Sequence, residues 1–303
     1  MLIWILALTI LLLMLVAHMD KMDKEFFDNP EEEGVKTRTY EDPNDIYDSL
    51  YASIYDRLFT PPERISFEKM NIEAYGLEGF PATETKLLDV CCGTAPHAEW
   101  LCKTDIDLVG IDGSEAMLQK ARQRCTRARF YKGDITRAET FPPKSFSHAM
   151  MLYFSIYQFR NPKQVLDNLY SWLKPGGVLI LHLVNPDKFD PILDAASPFA
   201  MFSLQKYSKE RITDSEVVFD KFTYKSRFLK DAHDENAVFE EVIRYNNPEK
   251  NEGYTYRENK HRLYMPSLDA MLDIVRSSGF SRHEMVDMMP SGYEYQYLVF
   301  FTK

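Results

Sequence analysis

Between Leu87 and Val184, short apolar runs alternate with helical patterns, and three of the runs reach an aspartate where the chain turns. Leu87-Leu88-Asp89-Val90 leads into the tight stretch Cys91-Cys92-Gly93-Thr94-Ala95-Pro96, Ile106–Ile111 ends at Asp112, and Arg129–Tyr131 leads to Gly133-Asp134. Phe146–Phe154 is a fourth run. Val178–Val184 (VLILHLV) is a fifth, nearly continuous as expected of a strand covered on both faces. Ser114 caps a helical pattern carrying Ala116, Met117, Lys120 and Ala121. Asn161-Pro162 opens another with Val165, Leu166, Leu169, Trp172 and Leu173, and Lys174-Pro175-Gly176-Gly177 ends it. This alternation specifies a doubly wound α/β fold around a parallel sheet. Such sheets bind ligands in the crevice at the carboxyl ends of their strands.

After Asn185 the pattern changes. Val217–Leu229, Val238–Tyr245 and Tyr254–Tyr264 read as three antiparallel strands, with polar turns at Asp231–Asn236 and Asn247–Gly253. Pro186–Met265 is therefore expected to be an antiparallel insertion on the substrate side of the sheet. The α/β pattern then returns: Pro266-Ser267 opens a helix with Leu268, Met271, Leu272, Ile274 and Val275, Gly279 stops it, and strands follow near Glu284–Met288 and Tyr295–Phe301.

The first turn decides between ligands. A dinucleotide pyrophosphate needs glycines at three fixed positions and backbone N–H donors at the helix start. Here those positions are Cys91, Gly93 and Pro96, and proline has no N–H to give. The loop suits a nucleoside that carries no phosphate. S-adenosylmethionine is one, with two ribose hydroxyls, an adenine and a cationic sulfonium, for which carboxylates are wanted. Asp112 lies 23 residues after Asp89, the spacing at which an acid reaches ribose hydroxyls, and Asp134 ends the neighbouring strand.

LLDVCCGTAPHA, VGIDGSEAML, YKGDIT and LKPGGVLIL, in this order and spacing, together resemble the class I S-adenosylmethionine-dependent methyltransferases. The resemblance covers roughly residues 46–303. It implies a Rossmann-like seven-stranded sheet and a small-molecule methyltransferase domain. The family's first motif usually reads D-x-G-x-G-x-G; Asp89 and Gly93 match, while Cys91 and Ala95 replace two glycines. A positive φ at either replacement would carry a cost. The resemblance implies that Asp89, Cys91 and Gly93 lie at the methionine end. Asp112, with Gly113 and Met117 beside it, would hold the ribose. Asp134 and Ile135 would frame the adenine, and Tyr153 to Tyr157 would face sulfonium and substrate. Helix capping and turn formation compete as roles for the three aspartates.

Before the sheet, YDSLYASIYDRLF places Tyr47, Tyr51 and Tyr55 on one helical face. By the same resemblance this helix covers the cofactor, with Tyr51 and Tyr55 nearest it; packing against the sheet is the competing role. Tyr157 and Asn185 complete the substrate-side set. Methyl transfer from a sulfonium has an activated leaving group, so positioning and desolvation carry much of the catalysis. An oxygen or nitrogen nucleophile still has a proton to lose. His148, His182 and His261 are the candidate bases, the first two inside apolar strand patterns, and the sequence singles out none.

The remaining features bear on surroundings. Leu2–Ala17 (LIWILALTILLLMLVA) is apolar on every face and about 24 Å long as a helix. It lacks the basic region and cleavage site of a signal peptide, so residues 1–19 are expected to be a single-pass transmembrane anchor. Residues 20–45 hold ten acids against four bases and read as an acidic tether. Lys21 and Lys24 favour a cytosolic catalytic domain. The formal charge of −10 argues against a nucleic-acid partner. Cys91, Cys92, Cys102 and Cys125 match no zinc pattern, and no metal is expected. They read as free buried thiols, which again suits the cytosol. The acceptor is expected to be a small or lipid-like molecule. A cofactor-binding scaffold without turnover is the alternative, and a nicotinamide dehydrogenase is disfavoured by Pro96.

Overall fold

The computed structural model describes residues 36–189, 214–231 and 234–303. Its main sheet has seven strands: β2 (Lys86–Val90), β3 (Asp107–Asp112), β4 (Arg129–Lys132), β5 (Phe146–Met151), β6 (Leu173–Val184), β11 (Ser281–Asp287) and β12 (Gln296–Thr302). Their order is β11-β12-β6-β5-β2-β3-β4. The five strands from β4 to β6 run parallel, and β12 runs antiparallel to both β6 and β11. Asp89 of β2 pairs with Gly110 on one side and Met150 on the other. The chain winds outward in both directions from β2, so the switch point lies at its carboxyl end.

Residues alternate between two cores, as the pleat requires. Leu88, Val90, Val109, Ile111, Ala149, Leu179 and Leu181 face one layer with Val165, Leu166, Leu169 and Trp172. Leu87, Leu108, Met150, Ile180 and Phe300 face the other with Trp100, Leu101 and Leu118. The helix Pro162–Trp172 begins with proline in its first turn after an Asn161 cap that accepts from the Gln164 N–H. Its four apolar side chains are at most 1 % exposed, each worth about 1.5–3 kcal/mol of burial.

A second sheet, β1-β10-β9-β8-β7, sits over the strand ends. It is built from β1 (Thr37–Tyr40), β7 (Asp214–Val218), β8 (Phe222–Lys230), β9 (Asn236–Tyr245) and β10 (Tyr256–Tyr264). Between the sheets lies α2 (Ser49–Phe59), capped by Asp48 and preceded by the one-turn helix α1 (Pro43–Ile46). Its Tyr51, Ile54 and Leu58 pack with Tyr224 and Ile243 of the second sheet and with Met117 of the first domain.

Four sequence expectations are corrected. Residues 37–45 are not tether: Thr37–Tyr40 pairs in parallel with Tyr256–Asn259, and Pro43–Ile46 is helical. Val217–Leu229 is not one strand, because the chain reverses at Asp220-Lys221, where the Phe219 N–H donates to the Phe222 carbonyl. Lys174–Gly177 continues into β6, since Gly176 and Gly177 exchange backbone hydrogen bonds with Lys303. Cys102 and Cys125 are joined as a disulfide, and only Cys91 and Cys92 are free. Both bonded cysteines close a helix on the same face of the sheet, where Leu101 and Ala121 pack in one cluster. The anchor expected at residues 2–17 lies outside the described residues. No helix among the described residues is long and apolar enough to cross a membrane.

Candidate functional site

At the end of β2 the chain makes the turn that the sequence singled out. Cys91, Gly93 and Ala95 adopt φ of 53°, 54° and 50°. The loop thus keeps a left-handed conformation at all three positions, two of them without glycine, at about 1–2 kcal/mol for each non-glycine residue. Left-handed non-glycine residues of this kind cluster at functional sites. The Cys92, Gly93 and Ala95 N–H groups donate within the protein, to Ile111 O at 3.0 Å, Asp112 Oδ2 at 2.9 Å and Cys92 O at 2.7 Å. With Pro96 next in line, few donors remain for a phosphate.

This loop borders a cavity of about 520 Å³, within the usual range for a small-molecule site. Of the expected cofactor residues, Cys91, Gly93, Asp112, Gly113, Met117, Asp134 and Ile135 line it together. Tyr47, Tyr55, Lys132, Ser155 and Gln158 line it too. Asp89 does not: it is buried beneath the loop, and burial together with the Asp112 charge raises its pKa well above the ordinary carboxylate value. Asp112 is raised as well, by burial, although the Ser114 and Gly93 N–H groups oppose the shift. Burial and the charges of Asp112, Asp89 and Asp134 push the Cys91 thiol far up, so it stays protonated. A field of that sign suits a cationic ligand. Asp134 accepts from Thr136 N and Oγ1, which holds its pKa down.

The helix α2 is latched over this cavity. Asp56 accepts from Thr94 Oγ1 at 2.5 Å and pairs with Arg124, while Ser114 Oγ donates to the Tyr47 carbonyl at 2.5 Å. Behind it opens a second cavity, whose walls include Tyr47, Tyr51, Tyr55, Phe59, Phe154, Phe239, Arg64 and His261. Tyr47, Tyr55 and Gln158 belong to both cavities and form the seam between them. Tyr51, Tyr55 and Tyr153 line the second cavity, and Tyr153, expected at the cofactor, does not line the first: its hydroxyl is turned to Glu68. Tyr153 and Phe154 reach it through consecutive positive φ values of 53° and 63°. Tyr157 and Asn185 are not brought there. The Tyr157 hydroxyl accepts from the Val184 N–H at 3.0 Å in the core, and Asn185 caps the turn at Asp187.

Two groups, one reaching this wall through Arg64 and one buried behind it, escaped the sequence reading. Arg64 is 4 % exposed; its Nε donates to Glu68 Oε1 at 2.9 Å and its Nη2 to His182 Nδ1 at 3.0 Å. Glu68 Oε2 accepts from Tyr153 Oη and from His97 Nε2, both at 2.9 Å. Trp100 Nε1 donates to His97 Nδ1, which fixes that tautomer. Burial alone would raise Glu68, but Arg64 and His97 hold its pKa at about 2. The i,i+4 spacing of Arg64 and Glu68 was the available signal. The second group is Glu241, fully buried and acceptor of hydrogen bonds from Tyr51, Tyr224, Asn259 and His261. No local motif announces it, because its partners come from three separate elements, α2, β8 and β10. His148 and His182 lie in the core, and burial lowers them to about 4 and about 3.

Comparison with known proteins agrees with this geometry. Residues 87–177 match the family model described as a methyltransferase domain. The chain is 29 % identical over 119 residues to demethylmenaquinone methyltransferase of Renibacterium salmoninarum, covering 39 % of this chain and 49 % of that protein. It is 31 % identical over 139 residues to dTDP-3-amino-3,4,6-trideoxy-alpha-D-glucopyranose N,N-dimethyltransferase of Streptomyces venezuelae, covering 45 % and 58 %. The chain thus spans about half the length of these curated relatives. A structure of an amino pentose methyltransferase from Micromonospora echinaspora with S-adenosylmethionine bound superposes with a TM-score of 0.57 at 18 % identity. It covers 84 % of this chain and 97 % of that one, and shows the shared fold.

Proposed function

We propose that this chain, by domain and fold a class I S-adenosylmethionine-dependent methyltransferase, methylates an oxygen or nitrogen atom of a small, planar, largely apolar acceptor. The observation that carries the reading is the pair of cavities that meet at Tyr47, Tyr55 and Gln158. One is lined by carboxylates, the other by aromatic rings. The residues present fit S-adenosylmethionine: Asp112 beside Gly113 for the ribose, Asp134 with Ile135 for the adenine, and a negative field at Cys91 for the cationic end. When bound, it supplies a methyl group on an already activated sulfur. Asp112 and the latch of α2 orient it. The rings of Tyr47, Tyr51, Tyr55 and Phe59 exclude water and hold a flat acceptor against the seam. Positioning of this kind contributes several kcal/mol to a displacement that needs in-line geometry.

The relatives named above act on a demethylmenaquinone and on an amino sugar nucleotide. The aromatic wall favours the former kind of acceptor. We further propose that residues 2–17 anchor the chain and give it access to lipid-like acceptors. Lys21 and Lys24 argue for the cytosolic face, and the Cys102–Cys125 bond for an oxidising one. Protease protection of intact vesicles decides between them.

The test is calorimetric titration of the full-length chain with S-adenosylmethionine and its demethylated product, beside Asp112→Ala. Micromolar binding in the wild type, weakened at least about tenfold in the variant, is expected for loss of a charged hydrogen-bonding group. Absence of binding in the wild type refutes the reading. Binding without turnover on naphthohydroquinones, phenols and amino sugars favours the scaffold alternative.

A further inference from the structure

His261, half-buried, differs from the three buried histidines in what its ring faces. His148 interacts with Ser147 Oγ and the Gly76 carbonyl, His97 with Trp100 and Glu68, and His182 with Arg64. His261, on β10, lines the aromatic cavity, and its side chain is 9 % exposed. Its Nε2 lies 2.6 Å from Glu241 Oε2. A carboxylate only accepts, so Nε2 carries a proton, and in the neutral ring Nδ1 is the acceptor. Among the described residues no side chain or backbone group takes up Nδ1.

Glu241 is built to hold that arrangement. It is fully buried on β9, yet its pKa lies below the ordinary value: burial alone would raise it, and His261, Tyr224 and Tyr51 hold it down. Oε1 accepts from Tyr51 Oη at 2.6 Å and from Tyr224 Oη; Oε2 accepts from Asn259 Nδ2 at 3.0 Å as well as from His261. The groups facing His261 are therefore Glu241 from β9, with Phe239 on the same strand at 5.7 Å between ring centres. Tyr51 of α2 lies at 6.1 Å and Tyr47, just before that helix, at 5.7 Å. Tyr47 also belongs to the seam with the cofactor cavity. His261 thus stands one ring away from the place where the two cavities meet.

We propose that His261 is the general base for the acceptor, and that Glu241 is the positioning residue that fixes its tautomer and balances the charge it acquires. The assignment rests on the methyl-transfer reading above. The acceptor hydroxyl's O–H bond breaks and its proton passes to Nδ1. The oxygen's electron pair forms the bond to the methyl carbon as that carbon's bond to sulfur breaks, its pair remaining on sulfur. The imidazolium, paired with Glu241, then returns its proton to solvent. The acceptor class is an aromatic hydroxyl such as a phenol or hydroquinone, since these rings can hold the body flat while the hydroxyl reaches the imidazole. General bases of this type contribute about 10²–10⁴-fold.

The experiment uses the full-length chain and 4-nitrophenol, colourless as the phenol and yellow as the phenolate, a readout independent of turnover. Bound to the wild type, the probe is expected to ionise with an apparent pKa about one unit, or tenfold, below its solution value. In His261→Gln the shift disappears while calorimetric affinity for S-adenosylmethionine stays within about threefold. Tyr51→Phe, a milder change, is expected to remove part of the shift. With 1,4-naphthohydroquinone as the assayed acceptor, His261→Gln is expected to lower kcat by about 10²-fold or more with little change in KM, and its rate should climb with pH as the acceptor ionises unaided. An unchanged yellow fraction and an unchanged pH profile in His261→Gln, or failure of the probe to bind the wild type, overturns the assignment. Loss of S-adenosylmethionine binding in the wild type instead overturns the reading beneath it.

Discussion

Gly93→Ala separates the backbone demand of the loop from the space it leaves for a ligand. Gly93 has a φ of 54°, and a Cβ built on it meets nothing within 4 Å. No clash therefore contributes. The cost is the left-handed penalty of about 1–2 kcal/mol, reduced by about 0.4–1 kcal/mol for a stiffer unfolded chain. The net is about 1 kcal/mol, or about 2–4 °C in Tm for a chain of this size. Differential scanning calorimetry reads it. The new methyl also enters the cavity that Gly93 lines. Overfilling by one carbon costs about 1–3 kcal/mol, so affinity for S-adenosylmethionine should fall about 5- to 150-fold. The reverse change, Ala95→Gly, checks the arithmetic. It relieves a φ of 50° but removes a fully buried methyl worth about 0.8 kcal/mol, so its Tm should stay near that of the wild type. A Gly93→Ala protein with wild-type Tm would refute the conformational argument. A lowered Tm with unaltered affinity would refute the placement of the ligand.

Two further outcomes follow from buried groups. Burial lowers His148 from 6.5 to about 4, although its bond to the Gly76 carbonyl opposes the shift. Between those values the unfolded chain binds the extra proton, so this group's contribution is intact above pH 6.5 and is lost as pH falls toward 4. From pH 7.5 to 5.5 it should cost about 1 kcal/mol, and His148→Gln should show a flatter decline in urea titrations at the two pH values. The Cys102–Cys125 bond spans 23 residues, for which loop closure in the unfolded chain gives about 3 kcal/mol. Cys102→Ser should lower stability by about that much, and the denatured wild type should titrate with two thiols rather than four.

The sheet and most of the cofactor cavity were legible because their information is local. A strand, the turn after it and the helix that follows are contiguous, so spacing set Asp112 and Asp134 at neighbouring strand ends, and the family resemblance added Gly113, Met117 and Ile135; all five line one cavity. Cys91 and Ala95 could be located but their φ values could not, because chain neighbours override residue preference. The second sheet was less legible. Thr37–Tyr40 sits in an acidic stretch and becomes a strand only because Tyr256–Asn259 offers it an edge. Glu241 escaped notice for the same reason: Tyr51 stands 190 residues from it in sequence. Tyr157 was misread because its family position was legible while its hydroxyl's partner, the Val184 N–H, was not. The disulfide joins two helix ends whose proximity only the folded sheet reveals.

That difference in locality has a consequence for how such a protein can change. The cofactor cavity draws chiefly on one stretch, from Cys91 to Ile135, whose geometry is set by strands that pair with one another. The aromatic cavity takes Tyr51 and Phe59 from one end of the chain and Phe239 and His261 from a hairpin far along it. Substitutions in that hairpin leave the pairing of β2 to β6 untouched and reach the first half of the chain's strands only at β1. On the proposed reading, acceptor preference is therefore open to retuning by exchange of β8 to β10, while the stretch proposed to hold the methyl donor is inherited whole.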